Sequence, residues 1–161
     1  MINVIGMKSE SRGLHAYEDF LRSEAIPMLL RWDNAKIQRS FDFQEINWHW
    51  LVKDGFTEPH HPQQNPAELR AVKWVKGHCQ LLMNQTGAPE TMWFACAEYV
   101  TQVNNITAKQ ALNWSTPMEK GHGYTSDISA YLFFAFWDPV YYWTMNKSIH
   151  IAENYLVDFS E

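Results

Sequence analysis

Cysteine is nearly absent from this chain of 161 residues: there are two, Cys79 and Cys96. Two thiols cannot build a disulfide scaffold, and neither stands in the C-x-x-C or H-x-x-x-H setting of a zinc site. Long hydrophobic runs are missing as well. A stretch such as Tyr131–Trp137 falls far short of the roughly 20 apolar residues of a membrane helix. No basic, apolar and small-residue leader opens the chain, so no secretory signal is expected. Together these absences predict a reduced, intracellular protein with no membrane partner. An excess of positive charge is lacking too: the net charge of -5 argues against a general nucleic-acid coat protein.

The chain does have enough apolar material for one proper core. Hydrophobic residues make up 46% and charged ones 19%, at a length close to the common domain size. Eight tryptophans are many for this length, and most read as core or interface material. The charge is unevenly spread. Residues 1–83 carry ten basic and ten acidic side chains and residues 84–161 three and eight, so the whole excess lies in the second part. Any contact with a phosphate backbone therefore falls to the first part.

Hydrophobic periodicity sets the expected elements. Residues 1–7 read as a strand with Ile2 and Val4 on one side, and 12–25 as a helix whose Leu14, Tyr17, Leu21 and Ala25 share a face. Pro27 stops that helix, and Met28-Leu29-Leu30 has strand character. The order strand–helix–strand predicts a parallel pair, 1–7 beside 28–32, joined by the first helix, and hence an α/β fold. Residues 40–53 read more as helix than strand, with Asp42 and Glu45 as a capping pair, although Ile46, Trp48, Trp50 and Val52 alternate. Gly55–Pro66 reads as loop, with a short extended piece at Phe56-Thr57-Glu58. Asn65-Pro66 then opens a long helix with the stripe Leu69, Val72, Val75, Cys79, Leu82 and Met83, ended by Gly87. Pro89-Glu90 starts another helix with Trp93, Cys96, Val100, Val103 and Ile106 inward. Beyond Asn113, turns give way to strand-like Tyr131–Trp137 and Val140–Trp143, separated by a turn at Asp138-Pro139.

Two carboxylates stand at positions suited to chemistry. Asp33 follows an apolar strand, and in open α/β sheets ligands gather at the carboxyl ends of strands. Glu68 lies in the first turn of the long helix, where the helix dipole favours a negative group. By position alone these are equally a turn former and a first-turn helix charge. Arg70, Lys73 and Lys76 give the long helix a basic side with Trp74 among them, suited to DNA phosphates, or simply to solvent. His60-His61 reads as polar surface. The remaining histidines (His15, His49, His78, His122, His150) show no zinc spacing, and the two cysteines read as core thiols.

The run Thr57-Glu58-Pro59-His60-His61-Pro62-Gln63-Gln64-Asn65-Pro66-Ala67-Glu68-Leu69-Arg70 resembles the signature before the third catalytic acid of retroviral-type integrases, in the form carried by copia-type retrotransposons. Asp33-Asn34 resembles that family's second acid, and the 34 residues between Asp33 and Glu68 are close to its characteristic gap. Asn84-Gln85-Thr86-Gly87-Ala88-Pro89, Trp93 with Asn104-Asn105, Thr116-Pro117-Met118-Glu119 and Gly123-Tyr124-Thr125-Ser126-Asp127-Ile128 are similar to the downstream segments of the copia form. The loop before Glu68 is one residue shorter than the common form, Leu69 stands where an Arg is usual, and no residue matches the family's first catalytic Asp.

The resemblance implies an RNase H-like mixed sheet flanked by helices, without its first strand, over residues 1–112, and a small β-rich C-terminal extension over 113–161. It implies that Asp33 and Glu68 are catalytic acids and ligands of Mg²⁺ or Mn²⁺, held weakly without the first Asp. DNA, both element ends and target, would be bound by Arg70, Lys73 and Lys76. The remainder of a Pol polyprotein would be the chain's natural context, a homo-oligomer its possible assembly, and the nucleus the intact enzyme's site of action. An unpaired sheet edge is expected to favour self-association. A non-catalytic nucleic-acid-binding or assembly remnant, and an unrelated intracellular α/β or helical binding domain, stay open as alternatives.

Overall fold

The computed structural model describes residues 1–24, 26–32, 37–56, 66–143 and 149–152. The fold is mixed helix and strand, mostly helical. Its elements in chain order are α1 (Gly13–Ser23), β1 (Leu29–Trp32), α2 (Phe41–His49), β2 (Lys53–Phe56), α3 (Pro66–Thr86), α4 (Trp93–Ile106), α5 (Pro117–His122), α6 (Ser129–Phe133), β3 (Val140–Trp143) and β4 (Ile149–Ala152).

The parallel pair exists and the expected strand at 28–32 is one member of it, but its partner is not residues 1–7. β1 pairs with β2 in the register Leu29↔Lys53 to Trp32↔Phe56, so the crossover is α2 and not α1. Residues 1–7 form no strand. The backbone of Ile2 is held by a side chain instead: Asn105 accepts from the Ile2 N–H at 2.9 Å and donates to the Ile2 carbonyl at 2.8 Å. The ambiguous stretch 40–53 resolves as helix and then strand. Ser40, not Asp42, caps α2 by accepting from the Phe43 N–H at 3.3 Å. Leu51 turns the chain in the left-handed region (φ 56°), and buried Val52 leads into β2.

α1 and α2 close one core over this pair, with Tyr17, Leu21, Phe43 and Val52 buried. Tyr17 stacks on Phe43, ring centroids 4.6 Å apart, and donates its hydroxyl to buried Asn47 at 2.6 Å. Burial first, and then the nearby negative Asp54, push the Tyr17 phenol up from its ordinary 10.0 to about 12. The folded state therefore holds this proton more tightly than the unfolded chain does. Its contribution to stability is complete below pH 10 and disappears as pH rises through 12. Buried Cys96, also pushed up to about 12, acts in the same direction from pH 9 upward. Denaturant midpoints should thus fall between pH 9 and 12, and Tyr17→Phe should flatten the part above pH 10. An unchanged slope in that variant would assign the loss elsewhere.

α3 and α4 form a helical hairpin around the second core. Val75, Cys79 and Met83 face Ala95, Cys96, Ala97 and Val100, with Phe136 closing the cluster and Ile2 and Val4 packed against it. Gly87 ends α3 in the left-handed conformation (φ 69°), its N–H bonded to the Met83 carbonyl. The expected stripe on α3 is buried only in part: Leu69 and Val72 are exposed. At 21 residues α3 outruns α4 with its 14, so the first turns of α3 extend past the end of its partner. Trp93, expected inward, is also exposed; Cys96 and Val100 are buried as expected, and Ala97, Thr101 and Asn105 widen the buried face of α4.

α5 opens with a full capping box, Thr116 with Glu119. Tyr131–Trp137 is not a strand. Asp127 accepts from the Ser129 N–H and starts the short α6, the Tyr131 hydroxyl donates to Gln102 on α4, and Phe136 drops into the core. Those tertiary anchors override the strand propensity of the aromatics. Val140–Trp143 is the expected strand, paired antiparallel with β4. No described helix is long and apolar enough to cross a membrane.

Candidate functional site

The parallel pairing fixes one edge where both strands end. Trp32, the last residue of β1, sits opposite Phe56, the last residue of β2. Asp33 is covalently next to Trp32, and α3 begins ten residues past Phe56. Asp33 and Asn34, with Thr57–Asn65 and so His60 and His61, lie outside the described residues. Glu68 has its backbone in the first turn of α3, where the dipole favours a carboxylate, but its side chain lies outside as well. Of the two acids, only Glu68 is placed, through its backbone at the start of the helix that follows β2. Among the described residues no group of three His, Cys, Asp or Glu side chains is placed to hold a metal ion.

Arg70, Lys73 and Lys76 are exposed; Arg70 and Lys73 lie on the side of α3 turned away from Val75, Cys79 and Met83, and Lys76 at the margin of that buried stripe. From Leu69 to Thr86 the helix carries no acidic residue at all. Trp74 lies half-buried beside them. His78 stacks on its ring, centroids 3.9 Å apart, with its Nδ1 within 2.8 Å of the Trp74 carbonyl oxygen. From the far side comes a residue that periodicity gave no reason to single out. Lys109, in the loop after α4, places its ammonium 5.9 Å from the Trp74 ring centroid and donates to Asn104 at 2.8 Å. Its only signal in the sequence was rarity, as one of three basic residues beyond residue 83.

The other candidates are structural. Cys79 and Cys96 are fully buried on facing helices, and the Cys96 thiol points at the Cys79 carbonyl oxygen at 3.8 Å. Burial pushes both thiols up, away from the reactive thiolate. His122 bonds Glu24 at 2.9 Å and ties α5 to the end of α1. A cavity of about 210 Å³ between residues 2–5, the end of α1 and α4 holds none of the expected site residues.

Comparison with known proteins gives no family model that matches the chain and no matching curated relative.

Proposed function

We propose that the chain is part of the catalytic core of a copia-type retrotransposon integrase, with an RNase H-like core over residues 1–112 and an extension over 113–161. In the full enzyme it would act in metal-dependent processing of element DNA ends and their joining to target DNA. The observation that carries this reading is the β1–α2–β2 parallel unit. The reading is supported by Asp33 being next in sequence to the last residue of β1, and by the backbone of Glu68 lying in the first turn of the helix that follows β2.

The donor set suits a hard cation. Mg²⁺ takes one or two carboxylates from a protein and completes its octahedron with water and phosphate oxygens, which is what Asp33 and Glu68 can supply. Bound there, the metal would supply charge neutralisation at a reacting phosphate. The chain's own groups do the rest. Asp33 and Glu68 would supply the negative charge for the cation, and Arg70, Lys73 and Lys76 would hold backbone phosphates and so orient the DNA. A duplex lying on this side of α3 meets positive charge and an aromatic ring without a competing carboxylate between residues 69 and 86.

Titration of the chain with Mn²⁺ by calorimetry tests the acids directly. Weak binding is expected in the wild type, and none in the double variant Asp33→Asn, Glu68→Gln. Equal heats from both proteins would reject the metal site and favour the second reading, a non-catalytic nucleic-acid-binding remnant. That reading needs only the exposed basic face of α3.

A further inference from the structure

Lys109 is held in place with unusual thoroughness for a surface lysine. Its N–H donates to the Ser115 carbonyl, and its own carbonyl accepts from Leu112 and Trp114. The loop closes through two consecutive residues in the left-handed region, Asn113 (φ 55°) and Trp114 (φ 64°). Neither is glycine, so the loop keeps a strained geometry that only its surroundings can maintain. At the other end of the side chain, Asn104 and the Trp74 ring position the ammonium above α3.

Both of those partners are uncharged. An amide oxygen and an aromatic face fix where the cation sits without neutralising it, and no described carboxylate pairs with it. Residues 107–116 contain no acid, as Leu69–Thr86 contain none. The result is a preorganised positive charge, already desolvated in part and already ordered, so that binding an anion costs little side-chain entropy. Arg70 and Lys73 lie on the other side of Trp74 around the same helix.

We propose that Lys109 extends the nucleic-acid surface of α3 across Trp74, so that Arg70, Lys73 and Lys109 hold the phosphates of one DNA duplex together. The inference rests on the reading that α3 faces DNA and adds to it a residue from a different element.

The test is fluorescence anisotropy of the full chain with a labelled duplex of about 20 base pairs over a series of salt concentrations. Each phosphate contact contributes a slope of about 0.9 in log affinity against log salt. Lys109→Met keeps the aliphatic stem and should lower the slope by about one contact, as should Lys73→Met. Lys109→Arg should restore it, and Lys120→Met, on α5, should leave it unchanged. A wild-type slope in Lys109→Met beside a lowered slope in Lys73→Met overturns this inference and leaves the α3 reading intact. Equal losses in Lys109→Met and Lys109→Arg, with altered circular dichroism, would make Lys109 a structural residue and overturn it too. Absence of any salt-dependent binding by the wild type would remove both.

Discussion

Residues 1–161 should show no detectable joining of a labelled DNA end to a target duplex in Mn²⁺, and a protein extended upstream of Met1 by an Asp-bearing strand should gain that activity. The expectation rests on the proposed chemistry. Phosphoryl transfer depends almost wholly on positioning and charge neutralisation. Two carboxylates leave a metal short of charge and of one fixed ligand, and Mg²⁺ tolerates little distortion of its octahedron. Water can fill the vacant position but restores neither the charge nor the placement. In the extended protein Glu68→Gln should then reduce joining by about 10²-fold or more, since a misplacement near 1 Å alone can cost that much. The same assay on the 161-residue chain decides the matter from the other side. Joining that survives Glu68→Gln would show that the acids lie elsewhere.

Asn105→Ala should destabilise the fold by about 2–4 kcal/mol in a urea titration. Asn105 is buried and spends both ends of its amide on Ile2. Removing it deletes two hydrogen bonds, worth about 1 kcal/mol each, and leaves a backbone donor and acceptor to find water. The side chains of Ile2 and Val4, which pack against the α3–α4 core, lose their tether at the same stroke. Early proteolytic cleavage within residues 1–7 should accompany the loss. A variant whose midpoint moves by less than about 0.5 kcal/mol equivalent, well under one net hydrogen bond, would mean that the segment is held by its apolar side chains alone.

The helices were the legible part of this fold, because their signals are local. Pro66 opens α3 and Gly87 ends it, and Pro89 precedes the turn that opens α4. The sheet was not legible. β2 reads Lys-Asp-Gly-Phe, three poor strand formers before a single aromatic, and it is a strand because β1 lies beside it. Residues 1–7 carry the better strand pattern and form none, and at Ile2 a side chain on α4 takes the two hydrogen bonds that a neighbouring strand would supply. Tyr131–Trp137 failed for a related reason, Tyr131 being anchored to α4 and Phe136 to the core. Of the candidate site, the placement of Glu68 in a first turn and the exposure of Arg70, Lys73 and Lys76 came from helical spacing. Lys109 could not, because its meeting with Trp74 joins residues 35 positions apart and is made only by tertiary packing.

The two sealed thiols give the protein an internal clock. Cys79 and Cys96 face each other across the α3–α4 seam with no exposed surface, and their sulfurs are kept protonated. An aqueous thiol reagent reaches either sulfur only when the two helices part, and it traps whichever molecules have opened. The labelling rate therefore counts openings of the hairpin one molecule at a time. Compared with the global unfolding rate, it tells whether the helical half comes apart by itself or only together with the layer built on β1 and β2.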